Sequence, residues 1–441
     1  MDPSFQQLDD LVSLITTSVN ELKAECLRKG YSIPNLDSVD THPYDNAYSS
    51  AILHNAIRTI RGACTQLSTV ITPPVNADFV HLVTSCTTVA LEGGIADILK
   101  DHPDGLHVSK IAESTKIDEQ KLASVLRLLC AEHCFREVSP NVFANNRLSA
   151  VFLSDRISAA GARHFVECSH KAGTVLYETL TDPVLGPSRE LTAAPFSRAH
   201  PEAGDIWRWT MSDPARLELT SKAMIAGANI FNLDAIATGF PYHNLPSGAS
   251  ICDVGGGFGH ITQHIAMLHP HIRVILQDME GVLEKAKGFW AENAPDVVKA
   301  GRVEFVPIDF IKESPVPGSN IYFVNCPSHN WDDAHSRTIL SNIRKVMKPE
   351  SSLIVQDYII QFATRNGVTS RRFAAPKEAP EPLLPNFGGG GLLQYFSDLG
   401  LLINARERTI DEYIALGKDS GLELVNVYDC GETSAMEFKP A

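Results

Sequence analysis

No stretch of about 18 apolar residues runs anywhere through the 441-residue chain, which leaves no candidate for a bilayer-spanning helix. Positive charge is scarce. Against 52 Asp and Glu there are 38 Lys and Arg, a formal net charge of −14, so the average surface repels nucleic acid and anionic lipid. The opening MDPSFQQLDD is acidic and polar where a secretory signal carries basic and then apolar residues, and a cytoplasmic location is expected. No CxxC pair occurs. The nine cysteines are odd in number and scattered, as reduced thiols of a cytosolic chain are, rather than a disulfide framework. Cys130, His133 and Cys134 lie close together, but in the apolar helical run RLLCAEHCF with no second ligand cluster. They are expected in the core, and no metal is expected.

What is present is an ordinary soluble composition, 44% apolar and 20% charged, over a length that suggests two or three domains. In residues 1–76, Leu8, Leu11, Ile15, Val19 and Leu22 repeat at helical spacing, and AYSSAILHNAIRTIRGACTQLSTVI reads as a second helix ended by TPPVN. These helices either pack on their own chain or meet a second subunit. Residues 77–155 read as helices over VHLVTSCTTVALEGGIADIL, VSKIAESTK and DEQKLASVLRLLCAEHCF, the last capped by Asp118, followed by a hairpin in FREVSPNVFANN. That order is a winged helix. Its third helix sets Lys121 and Arg127 against Glu119 and Glu132, too neutral for DNA, so packing against a partner subunit is expected. Residues 156–245 read as connecting helices, in which Trp207, Trp209, Met211, Met224 and Phe231 either line an aromatic pocket or fill the core. From 246 to 441 strands and helices alternate, which predicts a parallel sheet covered on both faces, closed by an antiparallel edge hairpin. One segment breaks the rhythm. PKEAPEPLLPNFGGGG (376–391) has the composition of a linker, but its apolar LLPNF predicts an ordered loop over the site.

The first strand of the α/β part runs into CDVGGGFGH, with Asp253, Gly255, Gly257 and Gly259 alternating. Such a loop lets backbone approach a ligand at the carboxyl ends of the strands. His260 stands where the dinucleotide fingerprint needs its last glycine, which disfavours a pyrophosphate. Asp253 suits a cofactor with an amino group. Asp278 ends the second strand and can accept both hydroxyls of a ribose. Asp309 ends the third, with Phe310 beside it to accept from an adenine amino group and pack on the ring. Three carboxylates at successive strand ends after a glycine loop favour an adenosyl cofactor.

On these motifs, with HNWDD, APEPLLPNFGG and NARERT, residues 75–440 resemble the S-adenosylmethionine-dependent O-methyltransferases of the plant and fungal type, particularly those of basidiomycetes. The resemblance implies an α/β Rossmann-like methyltransferase domain with a mostly parallel seven-stranded sheet and an α-helical N-terminal winged-helix dimerisation domain. It implies S-adenosyl-L-methionine as cofactor, a small aromatic or enol hydroxyl as acceptor, a role in fungal secondary metabolism, and a homodimer. By resemblance Gly255, Asp278, Asp309 and Phe310 are cofactor positions, His329 is the base that deprotonates the acceptor, and Asp357 and Glu407 are the acidic residues that orient it. The chain departs from the family pattern at Asn330, where an aspartate is usual, and at Asn325, where a Lys or Arg is common. In NCPSHNWDD a helix cap is better served by Asn330, Asp332 or Asp333, which leaves His329 for the proton. Two other readings compete: a methyltransferase-like pericyclase or dehydratase that binds the cofactor without methylating, and a non-catalytic winged-helix regulator. The retained histidine counts against the first and the acidic surface against the second.

Overall fold

The computed structural model describes residues 3–45, 50–76, 81–230, 235–325, 331–365, 373, 376–400 and 406–441. Helices α1 (Pro3–Lys29) and α2 (Ala51–Ile71) pair along their apolar stripes. Leu11 and Ala63 are fully buried and meet Leu14, Ile15 and Leu67.

Next come α3 (His81–Glu92), α4 (Ile95–Leu99), β1 (Leu106–His107), α5 (Val108–Thr115), α6 (Glu119–Ala131), β2 (Arg136–Ser139) and β3 (Val142–Ala144). The strands form an antiparallel sheet in the order β1-β3-β2. The single helix read over 80–99 is two, broken at Gly93–Gly94, and β1 is too short to leave a pattern in the sequence. Asp118 caps α6 as expected, accepting the Lys121 N–H at 3.1 Å. Ile95, Leu99, Val108, Ile111, Leu122, Leu126 and Phe143 make the core of this unit, with Cys130 and Cys134 packed against it. Burial pushes those two thiols up to about 11 and about 12, so they stay protonated near neutral pH. On α6, Arg127 faces Glu137 at 3.5 Å.

The connecting helices are α7 (Ile157–Phe165), α8 (Lys171–Gly173), α9 (Leu176–Leu180), α10 (Pro195–Ala199), α11 (Ile206–Met211), α12 (Pro214–Ile230) and α13 (Ile236–Gly239). Here Trp209 is core, with Phe196 edge-on at 5.4 Å and the Arg216 guanidinium 4.0 Å from its ring centroid. Trp207, Met211 and Met224 are exposed on this chain, and Phe231 lies outside the described residues.

The remaining elements are β4 (Ala249–Val254), α14 (His260–Leu268), β5 (Ile272–Asp278), α15 (Glu280–Asn293), α16 (Pro295–Lys299), β6 (Val303–Pro307), β7 (Ile321–Asn325), α17 (Asp333–Arg344), β8 (Ser352–Asp357), α18 (Leu393–Gly400), α19 (Ile410–Asp419), β9 (Leu422–Cys430) and β10 (Thr433–Pro440). They build a seven-stranded sheet in the order β6-β5-β4-β7-β8-β10-β9. The first five strands in that order run parallel; β10 and β9 are antiparallel and form the expected edge hairpin. Every residue of β4 and β8 is buried, as helices on both faces require, whereas edge strand β6 stays half-exposed. Among the described residues no helix is long and apolar enough to cross a membrane.

Residues 376–391 are ordered, as read, but they dock on α2. Leu383 and Phe387 pack on Leu11 and Ala63, each such buried side chain contributing on the order of 2 kcal/mol. The Arg58 guanidinium stands 4.1 Å from the Phe387 ring centroid. A Cβ at Gly390 would fall on the Arg58 carbonyl oxygen, so this contact needs glycine. Beside it, His54 Nε2 lies 2.9 Å from Glu432 Oε1, both side chains buried, tying α2 to the β9–β10 turn.

Candidate active site

The glycine loop leaves β4 at the carboxyl end of the sheet and enters α14. Asp253 is 2% exposed, and one carboxylate oxygen accepts the Thr262 hydroxyl at 2.6 Å. Its other oxygen has no hydrogen-bond partner among the described residues. Burial pushes its pKa up to about 7, the Thr262 bond pulling the other way and the Asp278 charge adding to the rise. Gly255 has φ +72°, and a Cβ there would come within 3.0 Å of the Phe310 ring. Only glycine suits both the backbone and the space. The Gly257 N–H donates to Asp278 Oδ2 at 2.8 Å and the Met279 N–H to Oδ1 at 2.7 Å. Burial raises the Asp278 pKa, with these two bonds opposing it. Behind the loop Trp290 Nε1 donates to the Phe258 carbonyl at 2.8 Å.

Asp309 and Phe310 follow β6. The Phe310 ring sits against Gly255 on one side and meets Trp331 edge-on at 6.3 Å on another. Its backbone is held by Asn342 of α17, whose amide donates to the Phe310 and Ile311 carbonyls at 3.2 and 3.1 Å. Asp309 is half-exposed and pairs with Lys312 at 2.7 Å, which lowers its pKa. Any ligand bond to this carboxylate is therefore shared with that lysine. The five positions Asp253, Gly255, Gly257, Asp278 and Phe310 thus converge around one loop, with Asp309 on its rim.

A second cluster lies where β7 and β8 end. Asp357, the last residue of β8, is fully buried, and its Oδ1 accepts the Tyr358 N–H at 3.0 Å. Glu407 is 4% exposed; its Oε1 accepts the Ser397 hydroxyl at 2.6 Å, and its own N–H donates to Asp398 Oδ1 at 2.8 Å. A parallel bridge between Ile359 and Arg408 lays the Glu407 segment along the Asp357 segment. His329, with residues 326–330, lies outside the described residues. The described chain resumes at Trp331. Asp332 caps α17, accepting the His335 N–H at 2.8 Å, so the capping role weighed for this turn is filled by another residue. Ser397, Asp398, Arg408 and Asn342 were not read from the sequence. Arg408 stood in the NARERT motif without being singled out; the other three carry no local signal.

A family model for the O-methyltransferase dimerisation domain matches residues 78–155, and one for the O-methyltransferase domain matches 177–374. The "3-O-methyltransferase 2" of Phanerochaete chrysosporium is 36% identical over 99% of this chain and 98% of its own length. The chain belongs to the O-methyltransferase family. Among solved structures, this O-methyltransferase is similar to mitomycin 7-O-methyltransferase, with 26% identity and a TM-score of 0.63 over 86% of this chain and 99% of that one. It also shares its fold with "A Pericyclic Reaction enzyme", at 19% identity and a TM-score of 0.66 over 88% of this chain and 94% of that one. At that identity the likeness speaks for the architecture alone.

Proposed function

We propose that this S-adenosylmethionine-dependent O-methyltransferase methylates a hydroxyl of a small aromatic or enol acceptor, in fungal secondary metabolism, with His329 as general base. The observation that carries the base assignment is the pair of buried carboxylates, Asp357 and Glu407, on adjoining segments that Arg408 joins to Trp331, two residues after His329. Two buried carboxylates are costly unless a cationic or proton-donating partner meets them, and an imidazole that gains a proton is such a partner.

The glycine loop fits the cofactor. An unpartnered buried oxygen of Asp253 and a loop that tolerates no side chain at Gly255 suit a cationic ligand approached closely by backbone. S-adenosylmethionine, when bound, supplies a methyl group on a cationic sulfur for the acceptor oxygen to take. Asp278 would accept the ribose hydroxyls, Asp309 the adenine amino group, and Phe310 would pack on the base. Gly257 would let the chain pass without a side chain. His329 would take the acceptor proton, while Asp357 and Glu407 fix the ring tautomer and offset its charge.

In the same reading residues 1–76 and 77–155 form the interface of a homodimer, 156–245 contribute to the acceptor pocket, and 246–441 carry cofactor and base. The relatives share methylation, and the retained His329 suits it better than a pericyclic or dehydrating reaction. The eight described cysteines are free, in keeping with a cytoplasmic setting, and the net charge of −14 opposes nucleic acid as a partner.

Incubation with methyl-labelled donor and a panel of phenols and enols tests the assignment. Label is expected in an O-methyl product. Donor bound tightly with no label transferred to any member would favour the non-methylating reading.

A further inference from the structure

We propose that Arg408 is a positioning residue for proton transfer: its buried guanidinium holds the turn that follows His329 against the segments that carry Asp357 and Glu407. The proposal rests on the base reading above and extends it to a residue to which nothing so far gives a role.

Arg408 is 1% exposed, although it is the neighbour of a buried carboxylate and its own ion-pair partner Asp333 keeps about half its side chain in water, 52%. A surface pair would form as well without burying the arginine, so the burial has to be explained by what else the guanidinium touches. Its Nε donates to Asp333 Oδ1 at 3.0 Å, and its Nη2 to the Trp331 carbonyl at 2.8 Å and to Ser336 Oγ at 3.3 Å. All three lie on Trp331, two residues after His329, or in the first turn of α17. The backbone of Arg408 faces the other way. Its carbonyl accepts the Ile360 N–H at 3.0 Å, three residues beyond Asp357. On either side the segment is fixed as well: Glu407 by Asp398, and Thr409 by the capping box it forms with Glu412 at the start of α19. One planar fork therefore ties together the turn after the base and the two segments with the acidic partners. A lysine has a single point charge and cannot reproduce that fork.

The test uses the full-length protein, labelled donor and phenols of graded acidity, with Arg408→Lys, Asp333→Asn, His329→Gln and the Arg408→Lys/His329→Gln double variant. Arg408→Lys is expected to lower kcat roughly tenfold to a hundredfold, the effect of an ångström-scale misplacement, with KM and donor affinity within about threefold. The loss should shrink as the phenol becomes more acidic, and the double variant should be no slower than His329→Gln alone. A merely structural arginine would not give that pattern. Equal loss across all phenols, losses that multiply in the double variant, or wild-type kcat in Arg408→Lys would overturn the proposal. If Arg408→Lys does not fold, Asp333→Asn at the half-exposed partner carries the same comparison with the same overturning results. Wild-type kcat in His329→Gln would instead sink the base reading, and the proposal with it, so the two failures are told apart.

Discussion

A phenol with a pKa of about 10 is ionised to roughly one part in a thousand near pH 7, so an unassisted acceptor presents almost no nucleophile. His329→Ala or His329→Gln should therefore lower kcat by about 10²–10⁴ with donor affinity nearly unchanged, and the loss should narrow for more acidic acceptors. Steady-state rates across such a series would show it; equal losses throughout would make the histidine structural. Asp278 collects two backbone N–H donors, from Gly257 and Met279, as well as any ribose. Asp278→Ala should weaken donor binding by about 1–3 kcal/mol in calorimetry, and an unchanged dissociation constant would count against its role. Asp253 gives a pH signature. Its folded pKa, pushed up to about 7, exceeds the ordinary carboxylate value, so between about pH 4 and pH 7 the native state keeps a proton that the unfolded chain releases. This group therefore makes the cofactor-free protein less stable as pH rises through that window, by up to the order of 4 kcal/mol in all, and adds no further change above it. In Asp253→Asn the corresponding slope should vanish, read as melting temperature at pH 4.5 and pH 8 for both proteins. Parallel slopes would contradict it. These carboxylates were legible because each sits at a strand end beside a glycine loop. Ser397 and Arg408 were not, because a serine in a helix and an arginine beside a glutamate look the same whether they face water or a buried oxygen.

Among the elements, α2 does more than its apolar stripe predicts. The stripe explains its pairing with α1, but His54, Arg58 and Gly62 reach Glu432, Phe387 and the 376–391 loop, all more than 300 positions away in sequence. No local pattern records such contacts; the apolar LLPNF of that loop predicts its order, but not the helix it lies on. The loop runs on into α18, which brings Ser397 to Glu407, so α2 indirectly supports the second cluster. Burial alone would raise the Glu432 pKa, but the His54 bond and the charges of His54, Arg58 and Arg61 outweigh it, and the carboxyl is held below its usual range. A depressed carboxyl stabilises the fold above its unfolded pKa, and that stabilisation is lost as pH falls through the lower folded value. The α2 contact should accordingly loosen in acid, below about pH 4. Removing one partner of a buried pair leaves the other uncompensated, so Glu432→Ala should cost about 3–5 kcal/mol. Amide exchange should rise in residues 51–71 and 379–391 and change little in β4 and β5. Unaltered exchange over 51–71 would mean that α2 is held by its apolar contacts alone.

For the whole molecule, alternating strands and helices were enough to foresee the parallel sheet, because a strand covered on both faces is buried throughout and largely apolar, and every residue of β4 and β8 is buried, with their acidic residues kept to the carboxyl ends. The relation of the N-terminal helices to the rest was left between two outcomes, and the self-packing one is present: Leu11 and Ala63 cover Ala379, Leu383 and Phe387 of the same chain. This does not use up their surface. Phe5, Val12, Ile52 and Ile71 remain exposed on α1 and α2, and Leu82 follows on α3, inside the segment matched as the O-methyltransferase dimerisation domain. A monomer leaving these side chains in water would be prone to associate. Light scattering of the full-length protein should therefore give about twice the 48.1 kDa chain mass. Deleting residues 1–75 should do two things together. It should weaken the dimer, and it should uncover Leu383 and Phe387 and strip Glu432 of its counter-charges, so that the shortened protein melts lower and aggregates. A monomeric mass for the intact chain would refute the dimer. A truncated protein that keeps both dimer mass and melting temperature would show that α1 and α2 serve neither contact.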